Sequence, residues 1–347
     1  MKYLTLSLLA TLLLLTACNP ASEKQPEATS PPEETYPTLG QIEVYDARLS
    51  EILDTDTSIE ILGEGFVWSE GPVWVPSIEA LLFNDIPPNK LMKWKEGEGV
   101  STYLTPSGYT GETPRTGEPG ANGLMLDANG RLILCQHGDR RIARLDAPMD
   151  QPTPNFVTLA DNYNGKRFNS PNDLVYDSKG NLYFTDPPYG LEKRMEDPTK
   201  ELDFQGVYRL STSGKLTLLT DKMTRPNGIT LSPDEKTLYV ANSDPKQAIW
   251  MAYELDEMGK VVSEKILYDA TQLVGKDNEK GLPDGMVVDK AGHIFATGPG
   301  GVWIFTPDGT ALGKIRTGEA TANCTFGEDG KSLFMTADMY LLRVRVK

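Results

Sequence analysis

Cysteine and histidine are scarce in this 347-residue chain, which holds three of the first and two of the second. No CxxC pair and no Cys/His cluster is present, so a disulfide framework and a zinc site of that kind are excluded. Cys135 and Cys324 read instead as small buried hydrophobes. Basic residues are also in short supply, 34 Lys and Arg against 49 Asp and Glu, for a net charge of −15. A field of that sign repels nucleic acid and anionic lipid surfaces, so neither is an expected partner. The Gly-x-Ser-x-Gly elbow of a serine esterase is missing. Missing too are the amphipathic helices that would alternate with strands in a βαβ fold. The one helix the pattern predicts is short, near Ala47 to Ile52, with Asp46 as its cap.

The only long apolar run, Leu4 to Leu15, is too short to span a bilayer as a mature helix. Lys2 precedes it, and Leu15-Thr16-Ala17-Cys18 follows as a lipobox. Residues 1–17 are thus expected to be a bacterial lipoprotein signal peptide cleaved before Cys18. Cys18 would carry acyl chains, each buried CH₂ contributing ~0.8 kcal/mol to anchoring. Residues 18–41, rich in Pro, Glu, Ser, Thr and Ala, read as a disordered tether. The expected location is the bacterial cell envelope, facing the periplasm or on the outer membrane, with membrane contact through the lipid alone. The domain itself is assigned to residues 42–347.

That domain repeats one pattern six times. A polar anchor is followed ten or eleven residues later by a short apolar run: Glu70 by Leu81-Leu82-Phe83, Asn122 by Leu132-Ile133-Leu134, Asn172 by Leu182-Tyr183-Phe184. Asn227 leads to Leu238-Tyr239-Val240, Asp284 to Ile294-Phe295-Ala296, and Asn323 to Leu333-Phe334-Met335. A turn such as Asp127 to Gly130 separates the two halves in most copies. Each unit reads as strand, tight turn, strand. Anchor spacings of 52, 50, 55, 57 and 39 residues leave room for two more strands per unit. Four-stranded antiparallel units at this period predict an all-β, six-bladed β-propeller. The last unit has length for only three strands, so its fourth must come from the N-terminal side, at Ser58 to Gly63. Such closure removes an exposed sheet edge.

The innermost strand of each propeller blade lines the axial channel. If the anchors begin those strands, Glu70, Asn122, Asn172, Asn227, Asp284 and Asn323 converge at one end of it. All six offer a side-chain oxygen and two are carboxylates, a set that suits one hard divalent cation, calcium first, with magnesium, manganese or zinc as alternatives. A single Asn-Gly would be read as a turn, as at Asn129 and Asn164; six in register with the downstream strand would not. The second strand of each unit returns to the same end. Residues just after it, among them His137, Asp186 and Tyr189, are therefore expected on the rim. His137 becomes a candidate for substrate contact, and His293, near the opposite turn, a structural residue.

These residues carry a likeness. Glu70-Gly71-Pro72-Val73-Trp74, Ser170-Pro171-Asn172-Asp173, Asp186-Pro187-Pro188-Tyr189-Gly190, Arg225-Pro226-Asn227-Gly228 and Leu282-Pro283-Asp284-Gly285 resemble the gluconolactonase, regucalcin (senescence marker protein) and luciferin-regenerating-enzyme family. Thr297 to Trp303 looks like the bacterial gluconolactonase branch, and the resemblance covers about residues 45 to 347. It implies a six-bladed propeller with a central divalent cation held by Glu70, Asn227 and Asp284. Asn172 would be a fourth ligand or a substrate contact; Asn122, His137, Tyr189 and Asn323 would join it around the substrate. Regucalcin-like members have Arg two residues before the Asn172 position; here it is Ser170, with Lys166 and Arg167 close by.

The activity so implied is hydrolysis of a sugar lactone; the sequence leaves the oligomeric state open, with a monomer favoured. The cation polarises the carbonyl or a water, Asp284 takes the proton of the attacking water, and Glu70 holds charge and geometry. A phosphotriesterase-like hydrolase on the same site, and a non-catalytic propeller that binds a sugar or a protein, are the alternatives.

Overall fold

The computed structural model describes residues 35–347. The signal peptide, Cys18 and the tether up to residue 34 lie outside the described residues. Six antiparallel sheets form a six-bladed β-propeller, as the repeat predicts. The first strands of the blades are Ser69–Val75, Ala121–Leu126, Leu174–Tyr176, Pro226–Leu231, Met286–Val288 and Thr321–Gly327. They pack on one another in a closed ring around the axis.

The second strands explain why the repeat was readable. Ala80–Asp85, Leu132–Gln136, Leu182–Asp186, Ile294–Gly298 and Ser332–Ala337 are buried at every position. A strand covered on both faces is apolar without alternation. Outer strands behave differently: Val261–Asp269 is exposed along most of its length and carries Glu264 and Lys265, charges that discourage edge pairing.

Blade six closes as expected. Ile59–Glu64 pairs antiparallel with Tyr340–Arg345 and supplies the missing fourth strand. The N-terminal segment does more than that. Thr38–Leu39 adds to the outside of the same sheet, and Gln41–Val44 pairs with Ala311–Arg316 as a fifth strand of blade five. Strands of these two sheets are thus present from Thr38, within residues 18–41 read as tether. Short strands flanking Gly40 at the edge of a sheet lack the length and alternation that sequence reading needs.

The predicted short helix is a single 3₁₀ stretch, Ala47–Glu51, with the Asp46 carboxylate accepting from Arg48 N–H at 2.9 Å. Its Leu49 and nearby Leu53 are buried against blades five and six. Between blades six and one, Phe83, Trp94 and Phe334 are fully buried, each contributing about 1.5–3 kcal/mol. Arg343 crosses this junction, donating to Glu60 at 2.6 Å and Glu96 at 2.5 Å. Cys135 and Cys324 are buried free thiols.

Candidate functional site

Neighbouring first strands approach so closely at the anchors that most side chains following them are excluded. A Cβ on Gly71, which has φ +55°, would lie 1.9 Å from the carbonyl oxygen of Asn122. One on Gly228 would lie 2.2 Å from that of Asp284. The glycine after the anchor is thus a packing requirement between blades, which is why anchor-Gly recurs. Backbone bonds complete the ring: Gly123 N–H donates to Asn172 O at 2.7 Å, and Gly285 N–H to Ala322 O at 2.8 Å. Second-strand side chains lock the anchors from behind. Asn84 Nδ2 donates to Asn122 O and Thr185 Oγ1 to Asn227 O, each at 2.7 Å.

Five of the six anchors, Glu70, Asn122, Asn172, Asn227 and Asp284, line one cavity of about 230 Å³ at the mouth of the channel. The sixth does not. Asn323 lines a smaller axial cavity beneath, together with Asp173, and its side chain hydrogen-bonds both Glu70 and Asp173. Its expected place beside the substrate is corrected to one beneath Glu70. A count of spacings gives its place along the strand and not which of the two cavities it lines.

The cavity floor is electrostatically unsatisfied. Burial lifts the Glu70 carboxyl to about 8, against the bond it accepts from Gly71 N–H at 2.8 Å, and the nearby Asp173 adds to the rise. Burial, then the charge of Glu70, push Asp284 well above the usual carboxylate range. Asp284 Oδ1, Asn227 Oδ1 and Asn122 Oδ1 are buried with no hydrogen-bond partner among the described residues. Such orphaned oxygens are costly unless something outside the protein pairs with them. Two carboxylates and two amide oxygens, with no nitrogen or sulfur donor, fit a hard divalent cation. Glu70, Asp284 and Asn227 are the residues that would hold it, with Asn172 on the same wall. No cluster of three or more His, Cys, Asp or Glu side chains suited to a metal occurs among the described residues; the fit rests on asparagine oxygens as much as on acids.

The rim differs from expectation in two places. Tyr189 lines the cavity, its hydroxyl donating to Ser243 O at 3.1 Å, and burial pushes its phenol to about 12. His137 stands behind the wall instead: it is fully buried, and burial drives its pKa down to about 3. Its expected substrate contact is corrected accordingly, because Glu118, 3.7 Å away, stands on the cavity side. Asp186 is also withdrawn. It accepts from Asn169 N–H and Ser170 N–H, both at 2.8 Å, and so fixes the turn that leads to Asn172. His293 bonds Asp289 at 2.8 Å in a turn, a structural role as expected.

Glu118, Arg194 and Arg225 complete the cavity wall and were not anticipated. Glu118 and Arg194 sit in irregular loops that no repeat indexes. Arg225 had a signal, since it precedes Asn227 by two residues, the offset noted for the family arginine before Asn172. Neither Lys166 nor Arg167 fills that place; both are exposed in a small hairpin, where Arg167 donates to Asp139 O.

The sequence profile of the SMP-30/Gluconolactonase/LRE-like region matches residues 68–338. A gluconolactonase from Zymomonas mobilis is 44% identical over 314 residues, covering 89% of this chain and 87% of that protein. Among solved structures, a gluconolactonase from Xanthomonas campestris superposes with a TM-score of 0.76 at 30% identity, covering 91% of this chain and 99% of the other. A calcium-binding regucalcin from Agrobacterium tumefaciens shares the fold, with a TM-score of 0.63 at 20% identity over 83% and 94% of the two chains.

Proposed function

Because the chain belongs to the SMP-30/gluconolactonase/LRE-like family, we propose that it opens a sugar lactone at the cavity ringed by Glu70, Asn172, Asn227 and Asp284, in a reaction that needs a divalent cation. It is a carboxylic ester hydrolase of the lactonase kind. The observation that carries the cation requirement is the pair of buried, unpartnered oxygens, Asp284 Oδ1 and Asn227 Oδ1, on the cavity that the buried Glu70 also lines. Calcium leads the candidates because every donor is a hard oxygen and because one relative of this fold is a calcium-binding protein.

When bound, the cation supplies Lewis acidity toward the ring carbonyl or the attacking water. The chain does the rest. Asp284, whose Oδ1 has no hydrogen-bond partner among the described residues, acts as the general base. It takes a proton as the water oxygen bonds to the carbonyl carbon. The ring C–O bond then breaks, the departing alkoxide takes back that proton, and a hydroxy acid leaves. Glu70, pinned by Gly71 N–H and Asn323, supplies negative charge without moving. Asn172 and Asn227, fixed through their backbone carbonyls, present amide oxygens at constant positions. The lipobox Leu15-Thr16-Ala17-Cys18 supports an envelope location, with the enzyme hung from a lipidated Cys18.

The test is a pH-stat panel of lactones on chelator-stripped protein refilled with calcium, magnesium, manganese or zinc. Acid release that vanishes on stripping and returns with one ion is expected. Full activity in the stripped protein overturns the cation requirement, and turnover of phosphotriesters without lactones overturns the substrate.

A further inference from the structure

Glu118 is on the wall of the cavity, yet no protein donor comes within hydrogen-bonding distance of its carboxylate among the described residues. Its nearest charged neighbour, Arg194 Nη2, is 3.6 Å from Oε1; His137 Nδ1 is 3.7 Å from Oε2. The side chain is only 23% exposed, and what it faces is the same cavity that Glu70 and Asp284 face. A carboxylate has room for about four hydrogen bonds, so this one holds its acceptor capacity open toward a ligand.

The position is built rather than incidental. Glu118 belongs to the loop between Gly99–Leu104 and Ala121–Leu126. Arg115 of that loop reaches across two others, donating to Gly138 O at 2.5 Å and to Gly190 O at 2.6 Å, with its guanidinium over the Tyr109 ring. Thr116 N–H donates to Glu192 at 2.8 Å. The loop is stitched to two neighbouring loops, and Glu118 arrives at the cavity wall without needing to be ordered by substrate. His137, neutral and packed behind, adds no positive charge that would satisfy Glu118 from within.

A lone acceptor facing the reaction cavity suits a substrate rich in hydroxyl donors. Resting on the lactonase reading above, we infer that Glu118 receives ring hydroxyls of the lactone and so selects polyhydroxylated lactones over unsubstituted ones. It is a specificity-determining residue, with no part in breaking the ester bond. Discrimination of this kind is strong because the analogue without hydroxyls leaves a desolvated acceptor unpaired.

The test compares kcat/KM for D-glucono-1,5-lactone and δ-valerolactone, which share a six-membered ring and differ in hydroxyls, in cation-loaded full-length protein. In wild type the hydroxylated lactone should be preferred. Glu118→Gln should lower the ratio of the two constants by about ten- to hundredfold, the range for hydrogen bonds to a charged group, chiefly through KM. Glu118→Ala, which removes the acceptor outright, should lower it further. Thermal melting identifies a misfolded variant, in which case Glu118→Asp is read instead, with a smaller fall expected. An unchanged ratio in a folded variant overturns the inference, as does a wild type that turns over both lactones equally; either leaves the lactonase reading standing. A wild type that hydrolyses neither overturns that reading itself.

Discussion

The carbonyl oxygen of Asp284 occupies the space that a side chain on Gly228 would need, 2.2 Å from an added Cβ. Blade four therefore sets the position of a blade-five carboxylate through a missing methyl group. Gly228→Ala should cost about 1–3 kcal/mol of stability by overpacking and, because the displaced group carries Asp284, should also weaken cation binding. Gly97→Ala is the control: nothing lies within 4 Å of its Cβ, and only its φ of +73° is strained, roughly 1–2 kcal/mol. Melting curves and calcium titrations should separate the two, with cation affinity falling only in the first.

Glu70 and Asp284 should fail differently. Glu70→Gln removes half of the compensating charge, so its defect is occupancy and excess cation should restore much of the turnover. Asp284→Asn keeps an oxygen of similar shape and loses the base, so turnover should fall by about 10²–10⁴ even at saturating cation. Rescue of Asp284→Asn as complete as that of Glu70→Gln would reduce Asp284 to a ligand.

Acid should unfold the protein partly through His137. Burial sets its folded pKa at about 3, below the roughly 6.5 of an unfolded histidine. Between those values the unfolded chain binds a proton that the folded chain does not, so this group's contribution to stability falls as pH falls, by about 1.4 kcal/mol per pH unit. Glu118 opposes it: burial raises its folded pKa to about 7, and the folded chain gains that proton first. Arg115 lowers His137 further. The informative quantity is therefore the difference between wild type and His137→Gln. Denaturant titrations from pH 7 to pH 4 should show a shallower loss of stability in the variant, and parallel curves would contradict the neutral, buried histidine.

Mass spectrometry of membrane-extracted protein should find Cys18 as the N-terminal residue, carrying acyl chains. Cleavage elsewhere, or an unmodified Cys18, would remove the anchor.

The blade count and five of the six converging anchors were legible because they rest on short-range physics, and the closing strand near residue 59 because the last unit was one strand short. Strands buried on both faces read as apolar runs, and glycine follows an anchor wherever the next blade's backbone leaves no room for a Cβ. Asn323 was misplaced because a count of spacings gives position along a strand and not which of two axial cavities a side chain lines. His137 and Glu118 lay beyond reach for another reason. Which of two loop residues faces a cavity is decided by Arg115 bonding to Gly138 and Gly190, contacts 23 and 75 residues away in sequence. Gln41–Val44 escaped notice because its partner, Ala311–Arg316, belongs to a blade that already has four strands, so no count called for a fifth.

That last pairing, with Ile59–Glu64 against Tyr340–Arg345, bears on how the molecule is made. The opening strands of the fold wait for partners about 270 to 280 residues downstream. Until Arg345 emerges, two blades keep unpaired edges and the ring stays open, a long-range closure that is intrinsically slow. This topology holds off the closed ring until the strands of the sixth blade are available. The same seam dictates the order of undoing: a pull on the N-terminal strands loads the sheets of blades five and six before any other, so the fold should open under force at that seam.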